Sequence, residues 1–282
     1  MLGGVGHEPS VHRYHGVEAD AYWRELLTGE DTLGSLSRLF RSLPRAPRCK
    51  LCHTPFEGPF APFLRMVGYR RWALNQQLCK FCLAGIAKQK GGAEVPVSLL
   101  FTDVRGSTTL AEKMSPTDFS DSMNRFFRIV FGAVDSESGV IDHIVGDGVM
   151  AMWIPGFVGA SHPARAIAAG RKLASALVNA PDLGESFSAG VGVHTGVAYV
   201  GVVGEPGSLD FTVLGDTANT AARLGSAAGG GELVMSSEIA FAAGIDTDGL
   251  ERRTLDLKGK ADPFSAWIEK VRSAKTPPPN SV

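Results

Sequence analysis

The run Val97-Ser98-Leu99-Leu100-Phe101-Thr102 is apolar enough for a strand buried on both faces, and it delivers a carboxylate, Asp103, into the turn Val104-Arg105-Gly106-Ser107. A second apolar segment, His143-Ile144-Val145-Gly146-Asp147-Gly148-Val149-Met150, is interrupted by Gly-Asp-Gly, residue types that accept positive φ. It reads as a β-hairpin with Asp147 in the turn. If both segments lie in one sheet, the two acids converge at its edge. Carboxylates so placed repel each other unless a divalent cation neutralises them. Taken alone, the two segments are equally consistent with an N-cap Asp and a turn Asp that share no role.

The surrounding pattern is strand, helix, hairpin, helix, hairpin, helix, strand. Ser115-Pro116-Thr117-Asp118 predicts a helix start, followed by a buried stripe of Phe119, Met123, Phe126, Phe127, Val130 and Val134. Ser161-His162-Pro163 opens another helix, carrying Ile167, Leu173 and Leu177. Ser188 to Gly201 reads as a second hairpin. Asn219 and Arg223 then stand four apart on a helix after Gly215-Asp216, so one face carries both. Strands with helices packed on one face give an α+β sandwich.

In this order, the strand ending in Asp103, the Gly-Asp-Gly hairpin, the glycine-rich stretch from Ser188 and the run Asp210-Phe211-Thr212-Val213-Leu214-Gly215-Asp216-Thr217-Ala218-Asn219-Thr220-Ala221-Ala222-Arg223 resemble the catalytic domain of class III nucleotidyl cyclases. The resemblance covers roughly residues 95 to 270. It implies a ferredoxin-like sandwich of mixed sheet and helices, and conversion of a nucleoside triphosphate into a 3′,5′-cyclic nucleotide. It further implies that Asp103, Asp147 and the carbonyl of Val104 hold two Mg²⁺ or Mn²⁺ ions, and that Asn219 orients the ribose. Arg223 would stabilise charge on the transferring phosphate, a role suited to a planar guanidinium. Lys260 matches the triphosphate lysine, and Gly106 a substrate-contacting position. Because the family divides these residues between two subunits, a homodimer with two composite sites follows.

At the base-reading position, where adenylate cyclases of the family usually have Lys and guanylate cyclases Glu, this chain has His143. Its partner position is Thr212, as in many bacterial adenylate cyclases. ATP is therefore the expected substrate, with GTP and the pyrimidine triphosphates open, since imidazole can donate or accept. The reading from another class is a catalytically silent nucleotide-binding or scaffold domain.

All four cysteines fall in two Cys-x-x-Cys knuckles, Cys49/Cys52 and Cys79/Cys82, separated by 26 residues. Two such knuckles complete a closed tetrahedral site, with zinc ahead of an iron-sulfur cluster. The adjacent His53 reads as a bystander. Basic residues cluster around the knuckles, among them Arg48, Lys50, Arg65, Arg70, Arg71 and Lys80. They suit a solvated face or an acidic regulatory partner ahead of nucleic acid.

The sequence thus divides into an N-terminal helical segment (1–48), a four-cysteine module (49–90), a catalytic domain (91–273) and a tail (274–282), with Gly91-Gly92 read as a linker. The segment from Ala19 to Leu43 has amphipathic spacing. Net charge is −1 and no apolar run reaches the roughly 18 to 20 residues of a membrane span, so the expected location is cytoplasmic.

Overall fold

The computed structural model describes residues 17–29, 40, 47–71, 77–88, 91–180, 183–184, 187–205, 208–255 and 263–271. One mixed sheet of eight strands organises them. Its spine is β1 (Gly91–Val104), antiparallel to β3 (Gly148–Trp153) on one side and to β4 (Ala189–Glu205) on the other. β2 (Val140–Val145) forms the edge beyond β3. β5 (Ser208–Leu214) folds back on the far end of β4, and β6 (Glu232–Ser236) runs parallel to β4. β8 (Phe264–Lys270) and β7 (Glu251–Leu255) complete the other edge.

The helices are α1 (Val17–Thr28), α2 (Ala61–Met66), α3 (Lys80–Lys88), α4 (Ser107–Lys113), α5 (Pro116–Ser136), α6 (Pro155–Val158), α7 (His162–Val178), α8 (Asp216–Ala227) and α9 (Ser237–Ala242). α5 starts where the sequence predicts. Ser115 Oγ accepts the Asp118 N–H at 3.1 Å, Pro116 occupies the first turn, and Met123, Phe126, Val130 and Val134 are buried. α7 also begins as predicted, at His162, and buries Ile167, Leu173 and Leu177.

Strand alternation sorts the core into two layers. Leu100 and Val104 of β1 join Ala151, Trp153 and Val191 against α5 and α7. Val95, Val97 and Leu99 point the other way, to a layer that holds Ala218 and Ala221 of α8 together with Trp23, Leu26 and Leu27 of α1 and Leu51, Phe56, Leu78 and Ile86 around the cysteines. Helices therefore cover both faces, not one as the sequence pattern suggests. α1 supplies the amphipathic helix expected in the N-terminal segment. It packs on β1 and α6, with the Trp23 ring stacked on Phe211 at 6.3 Å.

Two glycine readings are corrected. Ser188 to Gly201 is no hairpin: β4 runs unbroken from Ala189, and the reversal lies between β4 and β5. Its glycines permit close approach. A Cβ on Gly192 would sit 2.1 Å from Gly225 N of α8, and one on Gly201 2.3 Å from Gly91 O. Gly91 and Gly92 are likewise the first rungs of β1, paired with Val202 and Gly201.

Candidate active site

Asp103 is the penultimate residue of β1 and faces Gly148 across the ladder, while Asp147 occupies the β2–β3 turn beside Gly146, whose φ is 59°. The antiparallel register brings the acids together. Burial raises the Asp103 carboxyl above its ordinary range, and the Asp147 charge and a side-chain hydrogen bond with Asp147 raise it further. Arg105 opposes that rise. Its Nη2 lies 3.2 Å from Asp103 Oδ2, and it also donates to the Ser226 and Gly225 carbonyls at the end of α8. The sequence reading passed over Arg105, whose only signal was its place two residues after the acid. Val104 closes β1 opposite Ala189, and Gly106 takes φ 63° just before α4. This all-oxygen set with half-compensated charge fits a hard divalent cation.

Asn219 and Arg223 share one side of α8, opposite the buried Ala218, Ala221 and Leu224. Asn219 is exposed, and Arg223 Nη1 is buried without a hydrogen-bond partner among the described residues. An unsatisfied buried donor of this kind costs about 1–3 kcal/mol. Among the described residues, no hydrogen bond or ion pair joins this pair to Asp103 and Asp147.

His143, on β2, lies with Nδ1 2.7 Å from Asp142 Oδ2. The Asp142 side chain is fully buried, and among the described residues no donor other than His143 reaches its carboxylate. His143 is nevertheless held above the usual imidazole range, first by hydrogen bonding to Asp142, then by the Asp142 and Asp210 charges, with burial opposing. Asp210 is raised by burial and by Asp142. Thr212, two residues along β5 from Asp210 and thus on the same face of that strand, is buried. Asp142 and Asp210 were both missed by the sequence reading. Lys260 lies outside the described residues.

Residues 92–270 match the adenylate and guanylate cyclase catalytic domain. The chain belongs to that family. An uncharacterized protein of Mycobacterium tuberculosis is 35% identical over 156 residues, 54% of this chain and 28% of that one. Adenylate cyclase of Anabaena cylindrica is 28% identical over 166 residues, 55% of this chain and 32% of the relative. The chain therefore spans less than a third of the length of these curated relatives. The crystal structure of the guanylyl cyclase Cya2 aligns at a TM-score of 0.59 with 27% identity, covering 66% of this chain and 97% of that one. The alternating acid, hairpin and helix segments are thus a cyclase domain of mixed α+β architecture.

Against this cyclase domain sits the cysteine module. The four Sγ atoms lie within 4.8 Å of one another, and all four residues are buried. Cys52 and Cys79 Sγ are 3.7 Å apart, Thr54 Oγ1 is 3.0 Å from Cys52 Sγ, and the Cys79 and Cys82 amides donate to Cys49 and Cys79 Sγ at 3.3 Å. Hydrogen bonds with Cys49, Cys79 and Cys82 hold Cys52 far below the ordinary thiol range, while those with Cys49, Cys52 and Cys79 push Cys82 far above it. Crowded sulfurs with amide donors fit a tetrahedral thiophilic ion. His53 stands outside the group, with a left-handed φ of 58° that turns the chain after the knuckle. Several basic residues of the module are already engaged. Lys50 reaches Asp135 of α5 at 2.7 Å, and Arg71 reaches Glu57 at 3.0 Å. Among the described residues, no helix is long and apolar enough to cross a membrane.

Proposed function

We propose that the protein is a homodimeric, two-metal nucleotidyl cyclase that converts ATP into 3′,5′-cyclic AMP and pyrophosphate. The observation that carries this reading is the convergence of Asp103 and Asp147, whose mutual repulsion a cation would relieve. Asp103, Asp147 and the Val104 carbonyl would hold two Mg²⁺ or Mn²⁺ ions. Those ions supply activation of the 3′-hydroxyl and neutralisation of the triphosphate. In the reaction, the ribose 3′-oxygen bonds to the α-phosphorus and the α–β bridging bond breaks; the hydroxyl proton leaves to solvent and pyrophosphate departs. Arg223, contributed by the partner subunit, donates to the charge that builds on the α-phosphoryl oxygens, the acceptor its buried Nη1 lacks in one chain. Asn219 orients the ribose. Lys260 contacts the triphosphate and Gly106 lets the substrate pass close to the backbone.

His143 with Thr212 reads the base. Asp142 favours the protonated imidazole, whose ring N–H presents a donor to a ring nitrogen or carbonyl. Thr212 and the named Anabaena relative favour adenine. The four-cysteine site holds one structural zinc, and the module carrying it serves a regulatory partner. A cytoplasmic location suits cysteines that are not disulfide-bonded and a triphosphate substrate.

The test is turnover of the purified protein with ATP, GTP, CTP and UTP separately, in Mg²⁺ and Mn²⁺, with Asp147→Ala as control and products resolved by mass. Cyclic AMP that vanishes in the control supports the proposal. A different cyclic product reassigns the base. No product from any triphosphate, with dimer and zinc retained, replaces this reading with a silent nucleotide-binding scaffold.

A further inference from the structure

The four-cysteine module is moored to the cyclase domain at one corner, where α5 ends and β2 begins. Gln77, two residues before Cys79, donates from Nε2 to the Gly139 carbonyl at 3.1 Å and accepts the Ile141 N–H on Oε1 at 2.7 Å. Its amide thus completes the outer edge of β2 as a neighbouring strand would. Lys50, next to Cys49, pairs with Asp135 near the end of α5. The two moorings are themselves joined, because the Lys50 N–H donates to the Gln77 carbonyl at 2.9 Å. Each stands within two residues of a cysteine of the cluster, so closure of that cluster fixes both.

The strand they hold matters to the site. β2 breaks register between Ile141 and His143, where the chain seats Asp142 in the interior and presents His143. It then continues to the Asp147 turn. An edge strand with a break in its ladder is weakly specified by its single partner, β3. Gln77 grips the residue immediately before the break.

We infer that Gln77 is a positioning residue through which metal in the four-cysteine site fixes β2, and with it the nucleotide-reading His143. The metal site is then a conditioning site for substrate binding. The effect on nucleotide rests on the cyclase reading above, whereas the mechanical coupling of module to strand does not.

Hydrogen exchange of the peptide spanning β2 tests the coupling in the full chain, without activity. It is measured with Zn²⁺ bound, after chelation, and after Zn²⁺ is returned. β2 is expected to exchange roughly tenfold faster on chelation and to recover on zinc return, as befits two half-buried backbone partners lost. In Gln77→Ala, with zinc stoichiometry unchanged, β2 should exchange at the fast rate whether or not zinc is present. Gln77→Glu keeps the acceptor for Ile141 but loses the donor to Gly139, and should fall between. In turnover, Gln77→Ala should raise KM for the nucleotide roughly threefold to tenfold with kcat within about twofold, since Arg223 and Asp103 are untouched and the Asp147 turn is still closed by the Val145–Gly148 pair. Exchange of β2 that ignores zinc, or that remains zinc-dependent in Gln77→Ala, overturns the inference. Zinc-dependent exchange that Gln77→Ala abolishes, in a protein that turns over no triphosphate, supports the coupling and overturns the cyclase reading instead.

Discussion

The cysteine cluster is complete within a chain, whereas the active site, on the homodimeric reading proposed above, is divided between two. The four sulfurs come from two knuckles hydrogen-bonded to each other, within 4.8 Å. The active-site residues fall into sets carried by different elements: two acids at one end of β1 and β3, and Asn219 with Arg223 on α8, with a buried guanidinium nitrogen that has nothing to donate to. The first arrangement can close with a metal alone. The second calls for another chain and a substrate, which makes occupancy of the site conditional on assembly.

The largest effect should come from breaking the divided site. Asp147→Ala and Arg223→Ala should each lower turnover by about a thousandfold or more while leaving the fold intact. Mixed in equal amounts, the two inactive chains should recover about a quarter of wild-type activity, because half the dimers are mixed and each has one intact site. No recovery, with heterodimers confirmed, would place the whole site in one chain. The complete site should respond differently. Cys79→Ser should release the bound metal, counted by elemental analysis, and cost roughly 3 kcal/mol or more by denaturant unfolding, since its cluster shares a core with β1. Here no second chain should rescue the loss.

The same contrast governs what could be read from sequence. Cys-x-x-Cys spacing states its ligand set outright, and the acids sit at the ends of apolar segments whose pairing the pattern implies. The strand ending at Asp103, the hairpin at Asp147 and the helices from Pro116 and His162 were legible for that reason. The glycines of β4 were not, because a glycine spared a Cβ for packing looks in sequence like a glycine spared for a turn. Gly192→Ala separates the two meanings: its Cβ would meet the α8 backbone at 2.1 Å, so a loss of about 1–3 kcal/mol is expected in thermal unfolding, where a turn glycine at negative φ would tolerate the change. Arg105, Asp142, Asp210 and Gln77 escaped because their significance lies in contacts between distant segments, which periodicity does not carry.

A smaller effect separates function from stability at the divided site. Asp147→Asn removes the charge that raises Asp103 and leaves the Arg105 pair in place. A carboxyl whose folded pKa is raised costs stability above that pKa. The metal-free variant should therefore melt about 2 °C higher than wild type at pH 7, corresponding to roughly 0.5–1 kcal/mol, while turnover is lost. An unchanged or lower midpoint would mean that the acids do not repel.

The most delicate comparison lies within β2, at His143. His143 is raised above the ordinary imidazole value, so its folded state binds a proton more tightly than the unfolded chain does. The stability it contributes is present below the unfolded value near 6.5 and fades as pH rises through the higher folded value. Nucleotide affinity should weaken over the same interval if the imidazolium donates to the base. KM should therefore rise as pH passes the raised His143 value. Asp142→Asn removes the charge that holds the proton. It should move the His143 titration, followed by NMR, back toward or below 6.5 and shift the KM inflection with it. An inflection that stays in place while the imidazole titration moves would show that His143 does not touch the base.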